Sequence, residues 1–99
     1  MAEWIYFLHP PRDDFAATMT PAETSVWGDH FERLKRLHAD GVIVLVGPTL
    51  GLINTGIAVF EAPDEDAARR IMDEDPAIVS GYAHGELRPF RVSLLRGRD

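Results

Sequence analysis

Cysteine is absent from the 99 residues, and with it every disulfide framework, thiolate zinc site and thiol nucleophile. A reducing compartment suits such a chain, and redox-thiol chemistry is excluded. No apolar run is longer than Val42-Ile43-Val44-Leu45-Val46, far short of the about 18 residues that a membrane span needs. The opening Met1-Ala2-Glu3 lacks the basic start of a signal peptide, so a soluble cytoplasmic protein without a membrane partner is expected. Positive charge is scarce as well. Ten Lys+Arg stand against 16 Asp+Glu, a net charge of −6, and the arginines are scattered except toward the tail, from Arg88 to Arg98. That balance opposes the basic footprint of a nucleic-acid binder. What remains is ordinary globular material, 45% hydrophobic and 26% charged, long enough for one domain over residues 1–99.

The β-branched and aromatic run Trp4 to Leu8, stopped by His9-Pro10-Pro11, predicts a first strand. After the polar Pro10 to Met19 loop, Thr20-Pro21-Ala22-Glu23 combines an N-cap, a first-turn proline and a capping-box glutamate, which opens a helix toward Asp40 and a stop at Gly41. Val42 to Val46, ended by Gly47-Pro48, and Ile57 to Phe60 predict two further strands. Asp64-Glu65-Asp66 opens a second helix with Ala67, Ala68, Ile71 and Met72 on its apolar stripe, ended by Pro76. A loop or short helical turn follows, and Glu86 to Leu95 is read as the last strand. The order is βαββαβ, a ferredoxin-like α+β subunit with two helices on one face of a four-stranded antiparallel sheet. Strands one and two do not alternate apolar with polar residues, so the second sheet face needs a cover. The simplest cover is the same face of another copy, which predicts a homodimer through the sheets.

Two residues sit where their chemistry is out of place. His30 falls about 40° from Leu34 on the helical wheel, inside the apolar stripe with Trp27. Either it is a core histidine bonded to a backbone carbonyl, or it is an imidazole held in a cavity for proton transfer. Asp75 continues the apolar stripe of the second helix at its C-terminal end, where a carboxylate is disfavoured. It either caps the turn that follows or seeks a donor, and His30 on the same face of the sheet is a candidate. His38 suits the end of its helix, while His9 and His84 read as exposed loop residues; Arg12 and Arg88 could hold an anionic substrate but read more simply as surface cations. The histidine spacing carries no metal signature and no nucleotide or nucleophile-elbow motif is present, so neither metal nor cofactor is expected.

The segment His30 to Leu37, the Asp40-Gly41 turn with Gly47-Pro48, the segment Asp73-Glu74-Asp75-Pro76 and Arg88-Pro89-Phe90 together resemble the YciI-like, YCII-related family. The resemblance implies a dimeric α+β barrel and a His and Asp pair in a pocket, at positions matching His30 and Asp75. The family is similar in architecture to small-molecule isomerases, lyases and monooxygenases and includes a dehydrochlorinase-type member acting on a hydroxylated ring. The longer Pro10 to Met19 loop departs from shorter relatives. The reading is a cofactor-independent enzyme that moves a proton on a small cyclic or aromatic molecule, lyase-like or isomerase-like. His30 would be the general base or acid and Asp75 its orienting partner, with Trp27, Phe31, Pro48 and Leu50 around the substrate and the Leu50 to Ile53 loop excluding water. The alternatives are a metabolite-binding dimeric module without catalysis and a purely structural pair.

Overall fold

Alternation organises the first strand: Trp4, Tyr6 and Leu8 point to one face and join the core, while Ile5, Phe7 and His9 point to the other. The computed structural model describes residues 1–97. Its elements are β1 (Ala2–His9), α1 (Pro21–Ala39), β2 (Ile43–Pro48), β3 (Gly56–Ala62), α2 (Glu65–Asp73), α3 (Pro76–Val79) and β4 (His84–Phe90), with one 3-10 turn at Phe15–Ala17. All strand pairings are antiparallel and the sheet order is β2-β3-β1-β4, as the ferredoxin-like reading requires. Leu34 of α1, Ala68 and Met72 of α2 and Ala77 of α3 share a core with Trp4, Tyr6, Leu8 and Phe60, so the helices cover one face. Among the described residues no helix is long and apolar enough to cross a membrane.

The capping box of α1 is complete. The Thr20 side chain accepts from the Glu23 N–H at 3.2 Å and the Glu23 carboxylate accepts from the Thr20 N–H at 2.8 Å. The helix ends where Gly41 takes φ +80°, a left-handed value that suits glycine. A register shift between Ile43 and Leu45 bulges β2. It sends Ile43 inward and Leu45 outward, and returns Val46 to the helix side opposite Ala58. The uniform run Val42 to Val46 hides that irregularity, because every residue in it is apolar.

Three readings need correction. The last strand ends at Phe90 rather than Leu95, and Leu94 is 96% exposed: Phe90 pairs with Glu3, next to the start of β1 at Ala2, so the continuous ladder ends there. Pro89 is accommodated because β4 is an edge strand. The second difference lies around Pro76. Helix α2 stops at Asp73, and Pro76 opens a new helix instead of only ending the old one. Asp75 is therefore the N-cap of α3, with φ −62° and ψ 127°, rather than a carboxylate at the wrong end of α2. Extended geometry before proline and proline's fitness for the first helical position favour this break. The third concerns the two histidines read as exposed loop residues: His84 opens β4 opposite His9, which closes β1.

Candidate functional site

Three elements converge on one carboxylate. Asp75 is fully buried, and its backbone position at the start of α3 lets Oδ1 accept the Ala77 N–H at 2.9 Å. Tyr6, on the inward face of β1, donates its hydroxyl to Oδ2 at 2.7 Å. His30, in the third turn of α1, brings Nδ1 to 2.8 Å from both oxygens. Arg33, one turn further along α1, donates to the Ile71 carbonyl at 2.8 Å and ties α1 to the last turn of α2 just before Asp75. The two readings of Asp75, cap and histidine partner, are thus met by the same side chain.

The electrostatics follow from that packing. Burial is the largest single influence on Asp75 and pushes its pKa up. The bond and charge of His30, with the Tyr6 and Ala77 donors, together outweigh it and hold the carboxyl below its ordinary value. Tyr6 is pushed well above the usual phenol range, first by burial and then by the negative charge of Asp75, so its hydroxyl stays a donor. With a carboxylate facing Nδ1, an uncharged His30 ring carries its proton there and keeps its lone pair on Nε2, while a charged ring is balanced by Asp75.

That imidazole lines a cavity of about 470 Å³ between α1, the inward face of the sheet and the loops on either side. Trp27, Phe31, Pro48 and Leu50 line the same cavity, so the structure gathers all four around His30 while Asp75 lies behind it. Phe31 and Leu50 are 56% and 87% exposed and form the rim rather than a wall. Leu52 and Ile53 do not line the cavity, unlike the expectation for the Leu50 to Ile53 loop. Thr49 and Asn54 fix that loop through bonds to Ile53, Thr55 and Gly51, which holds Leu52 and Ile53 in solvent.

The Pro10 to Met19 loop closes the other side. Phe15 is buried against Trp27 with ring centroids 4.5 Å apart, and both rings line the cavity. Arg12 lies over the Phe15 ring at 5.1 Å and clasps Glu23 through two bonds of 2.8 and 2.9 Å. The guanidinium also donates to the Thr18 carbonyl and side chain, so Arg12 is a strap for the loop rather than a loose surface cation. His9 and Arg88 both bond Glu86 on the opposite face of the sheet, away from the cavity.

Tyr6, Phe15 and Asn54 join the site without having been singled out from the sequence. A signal existed only for Tyr6: a tyrosine at the centre of an otherwise apolar strand must find a partner for its hydroxyl once buried. Among the described residues, no group of three or more His, Asp and Glu side chains is placed to hold a metal ion.

The family model described as the YCII-related domain matches residues 5–91. No curated protein matches the chain closely enough to count as a relative. Among solved structures, the chain is similar to 5-chloro-2-hydroxyhydroquinone dehydrochlorinase from Burkholderia phenoliruptrix AC1100, a complex with 2,5-dihydroxybenzoquinone. The TM-score is 0.66 at 18% identity, covering 97% of this chain and 99% of that one. It is also similar to muconolactone isomerase, with a TM-score of 0.65 at 20% identity and 97% of each chain covered. Both likenesses extend over the whole α+β fold.

Proposed function

The chain belongs to the YCII-related family, and from that premise we propose that it is a cofactor-independent enzyme transferring a proton on a small cyclic or aromatic molecule, with His30 as the base. The observation that carries the proposal is the buried contact of 2.8 Å between His30 Nδ1 and Asp75, which leaves Nε2 as the basic atom presented to an apolar cavity. Nε2 takes a proton from the bound molecule, and Asp75 balances the positive ring that results. Return of that proton to another carbon gives an isomerisation; departure of a leaving group from the neighbouring carbon gives an elimination. Both outcomes share the same first step. The fold likeness to a dehydrochlorinase and an isomerase supports this reaction class without choosing between its members.

Trp27, Phe15 and Leu34 keep water from the reacting atoms, while Phe31, Pro48 and Leu50 complete the mouth. The test is turnover of hydroxylated, chlorinated and lactone rings by the native protein and by His30→Gln, with proton exchange followed in deuterated water. Loss of turnover in a folded variant supports the proposal, and unchanged turnover removes it.

A non-catalytic binding module is the second reading, favoured by one observation: Asp75 has structural duties of its own, capping α3 and holding Tyr6. Under that reading, His30→Gln weakens ligand binding and no ring is turned over by either protein.

A cytoplasmic homodimer completes the proposal. Leu45 and Phe90 are 45% and 44% exposed on the sheet face turned away from the helices, beside the half-buried Phe7 and Ile57. A second copy of that face would cover them. Sedimentation at the 11.1 kDa of a single chain would end this part.

A further inference from the structure

The polar atoms of the cavity share a character that its size does not reveal. In its uncharged form, with the Asp75 carboxylate at Nδ1, His30 donates from Nδ1 and Nε2 can only accept. Tyr6 gives its single proton to Asp75, so its oxygen can only accept. Asn54 donates both Nδ2 hydrogens, to the carbonyls of Thr49 at 3.0 Å and Gly51 at 3.2 Å, which fixes the amide orientation and leaves Oδ1 as an acceptor. Beyond these, the one side-chain N–H among the lining residues is the uncharged indole of Trp27.

Positive charge is withheld from the cavity with equal consistency. No Lys or Arg is among its lining residues. Arg12, over the Phe15 ring and outside the lining, is neutralised by Glu23. Lys35, over the Phe31 ring, is paired with Glu32 at 2.8 Å; Arg33 lies outside the lining, with one terminal nitrogen on the Ile71 carbonyl and the other buried without a partner, and its charge reaches the cavity only through Tyr6. Should His30 take a proton, its charge is already balanced by Asp75. Against an uncharged His30 ring, a carboxylate entering this space would face oxygen and nitrogen lone pairs with no Lys or Arg among the lining side chains, and a desolvated, unpaired charge is strongly disfavoured. A hydroxyl finds acceptors ready.

We propose that the cavity takes an uncharged ring bearing hydroxyl groups and discriminates against the same ring bearing a carboxylate, a refinement that rests on the proton-transfer reading. A ligand hydroxyl donating to Nε2 would also stand at the atom that performs the proton transfer. Trp27 and Phe15 supply aromatic faces for the ring, and Leu8 and Leu34 its apolar edges.

The matched probes are resorcinol and meta-hydroxybenzoate, which differ by one hydroxyl replaced with one carboxylate. Each is titrated near neutral pH into the full isotope-labelled protein, following the NMR signals of the His30 ring, the Trp27 indole and the Asn54 amide. Resorcinol is expected to shift these signals saturably, with meta-hydroxybenzoate binding about tenfold or more weaker, a difference moderated by the open rim. Equal or tighter binding of meta-hydroxybenzoate would overturn the proposal, as would titrations in which neither probe moves the cavity signals. Turnover by His30→Gln is read separately. Preference for resorcinol with undiminished turnover in that variant removes the proton-transfer reading and leaves the ligand class standing. Preference for meta-hydroxybenzoate with lost turnover does the reverse.

Discussion

His30 and Asp75, 45 positions apart in the chain, meet with Nδ1 at 2.8 Å from both carboxylate oxygens, and Asp75 is buried completely. The contact fixes the orientation of the ring and the atom that bears its proton. It also joins α1 to the start of α3, so the geometry of the pair is set by the packing of two helices on one sheet.

Replacing Asp75 with Asn keeps the shape and changes the proton inventory. The Asn oxygen can still accept from Ala77, which turns its N–H₂ toward Tyr6 and His30. His30 Nδ1 must then accept, its proton moves to Nε2, and the base is lost from the cavity. Asp75→Asn is expected to lower turnover by about 10³-fold or more, the scale seen when a histidine is forced into the wrong tautomer. Urea unfolding should show a loss of about 1–3 kcal/mol from the mismatched buried contacts.

Tyr6→Phe removes one donor from a buried carboxylate and leaves the ring in place. A hydrogen bond to a charged group contributes about 1.5–3 kcal/mol, so the variant should unfold at lower urea by that amount. Turnover should fall less than in Asp75→Asn, because His30 keeps its carboxylate partner. Parallel kinetics and denaturation of the two variants check the order.

Acid sensitivity should be traceable to Glu23. The bond from Arg12, followed by that from the Thr20 backbone, lowers its pKa from the ordinary 4.5 to about 2. A carboxyl depressed in the folded state contributes stability that is complete above the unfolded value and disappears as the pH falls through the folded one. The Arg12–Glu23 clasp should therefore hold the loop over Trp27 unchanged at neutral pH and weaken between 4.5 and about 2. Asp75, also depressed, adds a slope of the same sign. Thermal melts across that interval should be flatter for Glu23→Gln than for the native protein; equal slopes would remove Glu23 from this role.

Much of this arrangement is legible in the sequence, for identifiable reasons. The capping box at Thr20 and Glu23 and the β-branched runs are local signals, and local signals survived packing. His30 stands out because helical periodicity places a polar ring on an apolar stripe. Asp75 stands out on the same ground, although it sits at the N-cap of α3 and not at the end of α2. Pro76 both stops one helix and starts another, and only the backbone shows the break. Tyr6 is camouflaged by the apolar run around it. The strap from Arg12 to Glu23 is hidden because the glutamate already has a complete local explanation as a cap, and one carboxylate serves both partners. The bulge of β2 leaves no trace in a run of like residues.

The most direct test of the central claim is turnover in deuterated water, followed by proton NMR, of a hydroxylated ring substrate by native protein and by His30→Gln. The account predicts that the variant melts close to the native temperature and loses about 10²–10⁴-fold in rate, the contribution of a positioned general base. A folded His30→Gln protein that turns the same substrate over at the native rate would contradict it.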